Sequence, residues 1–197
     1  MELTNEFEVD VPVDQAWAVL TDVERIAPCL PGAQLQEVDG DDFRGIVKVK
    51  VGPITAQYKG KATFVEKDDV AHVAVLSADG RDVRGQGNAK ATITARLEEA
   101  GSGTKVSVHT DLTVTGKVAQ FGRGVMADVS ANLLDQFVAN LETTVLAGKD
   151  APAVEGEPEA VDLMSAAGAP VAKRVVPVVA AAVILLIIWR WLAGRDD

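Results

Sequence analysis

Residues 104–141 read TKVSVHTDLTVTGKVAQFGRGVMADVSANLLDQFVANL, and the period of their apolar residues changes part-way along. Up to Gly116 the period is two. Val106, Val108, Thr110, Leu112 and Val114 alternate with Lys105, Ser107, His109, Asp111 and Thr113, as on a strand with one buried face. From Val118 the period is helical, with Val118, Phe121, Val125, Val129, Leu133, Phe137 and Leu141 on one stripe. Continued to Ala147, this predicts a helix roughly 40–45 Å long.

Upstream, further period-two segments lie near 33–39, 42–51, 54–66, 70–79 and 86–98. Turn signals at Asp39-Gly40, Gly52-Pro53, Lys67–Asp69, Asp79-Gly80 and Gly101–Gly103 separate them. Leu3, Phe7 and Val9 alternate with acidic residues and predict a first strand. A short helix follows over Asp14–Asp22, with Trp17 and Leu20 on one face, and a second helical turn over 23–28. Strands this closely spaced form an antiparallel meander. The expectation is an α+β domain in which one seven-stranded sheet curves around the last helix, burying both apolar faces.

The inward faces of those strands carry unusually small residues. One presents Ala56, Tyr58, Gly60, Ala62 and Phe64; another Gly87, Ala89, Ala91, Ile93, Ala95 and Leu97. A dense core against a long helix asks for larger groups. Either space is left between sheet and helix, as a ligand pocket requires, or the small residues let the helix approach more closely.

The chain of 197 residues divides into three segments: a folded domain over 1–147, a linker over 148–172, and a C-terminal anchor over 173–195. The linker is rich in Ala, Pro, Gly and acid, too poor in large apolar groups to offset the entropy of folding, and so is expected to be disordered, spanning roughly 25–30 Å. Its Val161-Asp162-Leu163-Met164 run reads as a docking motif or as an ordinary apolar interruption. Val175–Trp189 is uninterruptedly apolar; extended through Gly194 it reaches the ~20 residues of a transmembrane helix, with Arg190 near enough to its end to reach the interface. Trp189 and Trp191 suit an aromatic belt. The acidic start, Met1–Glu6, is unlike a secretory signal. The reading is therefore a single-pass tail anchor in the cell membrane with the N-terminal domain cytoplasmic.

Several chemistries are disfavoured. With 29 Asp+Glu against 19 Lys+Arg, the chain is a poor partner for nucleic acid. Cys29 stands alone, so no internal disulfide forms, and a buried structural thiol is expected. His72 and His109 lack metal-ligand spacing. Gly122-Arg-Gly124-Val-Met-Ala127 matches a dinucleotide-binding pattern, but no parallel strand follows to supply the ribose-binding acid. Those glycines loosen the start of the long helix as a gate, or simply make a tight turn. Lys48, Lys50, Lys59 and Lys61 alternate on a polar face, which is either solvated or a docking patch for an acidic partner or lipid headgroups.

Pro12–Trp17, Asp22–Ala33 with its Cys29-Leu-Pro-Gly-Ala33, Phe43–Pro53 with its Val49-Lys-Val-Gly-Pro53, Asp82–Ala91 and Phe121–Gly124 carry a resemblance. They are similar to the G-subunit family of carbon monoxide dehydrogenase, in the Bet v 1-like (START-related, SRPBCC) superfamily, over most of residues 1–147. The resemblance implies a helix-grip fold with a hydrophobic cavity. It also implies a role in recruiting a soluble molybdenum-containing carbon monoxide dehydrogenase to the cytoplasmic membrane. The expected partners are then the membrane, that enzyme and a lipophilic small molecule, with no tightly bound cofactor. The expected ligand is an isoprenoid quinone such as menaquinone, held by Tyr58, Phe64, Ile93, Leu112, Phe121, Val125, Val129, Leu133 and Phe137. Two alternatives stand beside this reading: a ligand-free scaffold or anchor, and a cyclase-like enzyme using Tyr58 and Thr110.

Overall fold

A computed structural model describes residues 1–148 together with Val161–Asp162. The chain divides into two units, Met1–Leu163 and Met164–Asp197, and the architecture below is that of the first. β1 (Glu2–Val9) leads into α1 (Val13–Leu20), α2 (Val23–Ile26) and a 3-10 turn at Ala27–Cys29. Six strands follow: β2 (Ala33–Asp39), β3 (Asp42–Val51), β4 (Ile54–Asp68), β5 (Val73–Asp82), β6 (Asn88–Ala100) and β7 (Gly103–Val114). A second 3-10 turn (Lys117–Phe121) then enters α3 (Gly122–Leu141), which ends in a π turn at Glu142–Leu146. The seven long strands form one antiparallel sheet in the order β1-β7-β6-β5-β4-β3-β2, so the first strand pairs with the last. This is the expected α+β helix-grip architecture.

Three details differ from the expectation. The long helix is shorter, because Gly116 (φ 82°) and Gly122 (φ 73°) take left-handed conformations that bound a separate 3-10 turn. That favours the tight-turn alternative for Gly122, while Gly124 lies within α3. The Asp79-Gly80 pair is no turn: β5 runs through it to Asp82. The turn comes later, where the Asp82 carboxylate accepts from the Arg84 and Gln86 amides at 2.9 and 3.2 Å, and Gly85 (φ 71°) reverses the chain. Finally, Val161–Asp162, inside the segment read as a linker, form a two-residue strand, β8, parallel to β3 at Val49 and Lys50. The rest of that segment and the anchor at 173–195 lie outside the described residues. Among the described residues no helix is long and apolar enough to cross a membrane.

Two apolar clusters hold α3. Towards its C-terminal end, Phe137 and Leu141 pack with Trp17, Leu97 and Val106, and Phe7 meets Phe137 edge-on at 6.4 Å. Towards its N-terminal end, Met126 packs with Val51, Ala56 and Val118. α1 closes the first cluster. Its Trp17 Nε1 donates to Asp69 Oδ1 at 2.8 Å, while His72, left-handed at φ 49°, lays its ring 5.4 Å from the indole and its Nε2 3.3 Å from Asp14 Oδ1. The segment after α1 is pinned from both sides. Asp22 caps α2 through the Arg25 amide, and Asn140 Nδ2 of α3 donates to the Cys29 carbonyl at 3.0 Å. Cys29 is buried as expected, its Sγ 3.5 Å from Thr144 Oγ1. This pinning fixes α2 and its 3-10 turn above the sheet, and so shapes the site.

Candidate functional site

Antiparallel register sets the inner-face side chains in rows across the strands, about 7 Å apart along each strand. One row holds Ala33, Val47, Tyr58 and Asp82. The next holds Leu35, Gly45, Gly60, Gly80 and Ala89, and the third Phe43, Ala62, Ala78 and Ala91. Across β3, β4 and β5 the middle row therefore offers no side chain at all, and the third offers methyl groups on β4, β5 and β6. Above this floor stand Val23, Ala27 and Leu30 of α2 and its turn. Between floor and roof lies a cavity of about 340 Å3, open on one side and almost wholly apolar in its wall. Leu30 and Val47 line it while remaining 42% exposed each, which places them at its mouth.

The three glycines of the middle row serve different ends. A Cβ on Gly60 would collide with the Asp79 carbonyl oxygen and come within 2.6 Å of the Gly80 Cα. A Cβ on Gly45 would lie 2.5 Å from the Gln34 carbonyl oxygen. Both are close approaches of backbone to backbone, where the sheet needs hydrogen. Gly80 is otherwise: its Cβ would meet the Tyr58 side chain alone, at 3.3–4.0 Å.

Charge is sorted by face. Strand alternation turns Arg44, Lys61, Asp79 and Lys90 outward, where Arg44 Nη1 lies 2.8 Å from Glu37 Oε1 and Lys90 Nζ 2.9 Å from Asp79 Oδ2. Among the described residues, Tyr58 is the polar side chain that strand alternation brings to the cavity from the inner face; buried Asp82 stands beside it in the same row, outside the lining. Burial first, and the Asp82 charge second, raise the Tyr58 phenol above its ordinary pKa, so it keeps its proton through the physiological range. Among the described residues its hydroxyl makes no hydrogen bond.

This cavity does not lie beneath the long helix. No residue of α3 lines the cavity, because both ends of that helix are occupied by the apolar clusters, and the small-residue rows of β3–β6 face α2 and its turn instead. Of the nine expected ligand residues, Tyr58 lines the cavity. Phe64 backs it, packed edge-on at 5.7 Å against Phe43, which lines it. Phe121 and Val129 pack in the cluster around Met126, and Phe137 in the cluster around Leu141. Ile93, Leu112 and Leu133 are half-buried, and Val125 is 37% exposed. Thr110 does not border the cavity. The roof residues Val23, Ala27 and Leu30 escaped the sequence reading, as three apolar residues in a short irregular stretch carry no periodicity. The glycine row carried a legible signal: aligning the strands by their turns brings Gly45 and Gly60 together.

Comparison with known proteins agrees with this architecture. A conserved protein from Geobacillus kaustophilus is similar, with a TM-score of 0.66 at 17% identity over 75% of this chain and 96% of that one. A protein of Thermus thermophilus superposes with a TM-score of 0.55 at 16% identity, over 75% and 98% of the two chains. Ara h 8.0201 gives 0.54 at 18% identity, over 75% and 99%. Such identities speak for the fold alone. No curated relative matches the chain. Residues 6–146 match the family described as the G subunit of carbon monoxide dehydrogenase (CoxG). On that match over most of its length, the chain belongs to the CoxG family.

Proposed function

We propose that this domain is a binding protein rather than an enzyme: it carries a lipophilic molecule, an isoprenoid quinone, between the bilayer and a soluble molybdenum-containing carbon monoxide dehydrogenase. The observation that carries the reading is the open apolar cavity of about 340 Å3, built from a row of glycines and a row of alanines facing three small apolar groups. An apolar hollow left unfilled costs packing contacts along its whole wall, and a greasy ligand restores them. Burying a ligand there yields about 25 cal/mol for each Å2 removed from water. The family points to the dehydrogenase as partner, and such an enzyme must pass electrons to an acceptor in the membrane. In this reading the apolar segment at 173–195 is a tail anchor and keeps the cytoplasmic domain beside its lipid source.

Mass spectrometry of organic extracts from the purified full chain tests the ligand. A lipid near one equivalent is expected; repeated extraction without one would reject the carrier role. Deleting 173–195 tests the tether separately. The shortened protein is expected to move from the membrane fraction to the soluble fraction while binding added ligand as before, and persistence in the membrane fraction refutes the anchor.

A further inference from the structure

We infer that Tyr58 is the residue that discriminates the ligand's head group, its hydroxyl donating to a carbonyl oxygen of a neutral, flat ring. This rests on the carrier reading above and adds to it the residue that sets the choice of head group.

Three observations converge. The first is charge. Arg44, Lys61 and Lys90 border the cavity through strands whose alternation points their charged ends to the outer face, where Arg44 and Lys90 are paired with acids. Asp82 lies on the inner side outside the lining, next to Tyr58 in the same row and near enough for its charge to act on the phenol. An anionic head, such as a fatty acid carboxylate, would enter an apolar wall near an acid, with no cation turned inward to meet it among the described residues. A neutral head enters without that cost.

The second is the hydroxyl. Tyr58 lines an otherwise apolar wall and carries a proton donor that no hydrogen bond satisfies among the described residues. Its phenol stays protonated, since burial and the Asp82 charge both oppose ionisation. A donor so placed rewards an acceptor on the ligand, and a carbonyl oxygen is the neutral acceptor that needs no proton of its own.

The third is shape. Gly80 has no backbone reason to be glycine: its φ lies outside the left-handed region, and an added Cβ would touch only the Tyr58 side chain. Its hydrogen leaves room for the Tyr58 side chain, whose Cβ, Cγ and Cδ1 lie nearest, and keeps the floor beside that ring level. A flat ring can rest on such a floor; a bulky head cannot. At about 340 Å3 the cavity sits near the lower limit of the roughly 300–1,000 Å3 that enclose drug-sized ligands. It has room for a ring head and little more, so a long apolar tail leaves by the mouth between Leu30 and Val47.

The test uses three probes on one bicyclic frame: dimethylnaphthoquinone, dimethylnaphthalene and naphthoate, titrated calorimetrically into the full chain in detergent. The quinone is expected to bind tightest and the carboxylate weakest. Tyr58→Phe keeps the ring against Gly80 and removes only the donor. It is expected to weaken the quinone roughly tenfold, the worth of one neutral hydrogen bond, and to leave the hydrocarbon unchanged. A thermal melt superimposing on that of the parent shows that the variant is folded. If the quinone binds Tyr58→Phe as tightly as the parent, or if naphthoate outranks the quinone, the assignment is overturned while the carrier reading stands. If none of the three probes binds the parent protein, the carrier reading falls and takes this assignment with it.

Discussion

Replacing Ala78 and Ala91 together by leucine is expected to leave the domain folded and no less stable, yet unable to hold its ligand. Both residues sit in the third row of the inner face, on adjacent strands, with cavity above them. Leucine in place of alanine puts an isobutyl group where a methyl group was, into cavity space that the described residues leave open. Each added side chain buries apolar surface worth up to about 2 kcal/mol, so the melting temperature should hold or rise. The same atoms exclude the ligand. Losing on the order of 100 Å2 of its buried surface costs about 2.5 kcal/mol, roughly 70-fold in affinity. The measurement pairs a thermal melt with the lipid content of purified protein. Lipid retained at one equivalent in the double variant would show that the ligand lies elsewhere. The scaffold alternative makes the opposite forecast for function, since a tether with a filled cavity should still support electron transfer from the dehydrogenase.

The architecture was legible because it is written in periods. Alternation from Val106 to Val114 and the helical stripe from Val129 to Leu141 each report a face, and faces fix which residues go inside. Turn residues at Gly40, Gly52 and Gly101 fix where strands end, and all three take left-handed conformations. The site was harder to read, for two physical reasons. Period gives the face of a strand but not which neighbour covers it, so the small-residue rows were assigned to α3 when α2 and its turn stand over them. That cover is set by single tertiary bonds, such as Asn140 to the Cys29 carbonyl, which leave no pattern in the chain. The second reason is Gly80. An Asp-Gly pair is a strong turn signal, yet here both residues run extended within β5, because the Asp82 side chain supplies the turn's hydrogen bonds three residues after Asp79. Read as a turn, Gly80 drops out of the inner face, and the glycine row loses its third member.

That row also supplies the sharpest contrast the fold offers, because the same substitution on neighbouring strands should have opposite outcomes. Gly60 and Gly80 are paired across β4 and β5. Gly60→Ala drives a methyl group into the Asp79 carbonyl and the Gly80 Cα, both backbone atoms that move only if the two strands part. Overpacking against backbone is expected to cost about 3 kcal/mol, a fall of roughly 10 °C in melting temperature for a domain of this size. Gly80→Ala meets only the Tyr58 side chain, at 3.3 Å, and a side chain can yield by a few tenths of an ångström. With a backbone conformation open to alanine, the lower entropy of the unfolded chain offsets that adjustment, and the melting temperature should move by no more than a few degrees. What Gly80→Ala should lose is affinity for a ring lying beside Tyr58. Two melting curves and one titration therefore separate the glycine that the sheet needs from the glycine that the cavity needs. Equal destabilisation by both substitutions would mean that Gly80, too, is held by the backbone, and that the level floor is a by-product of how the sheet bends.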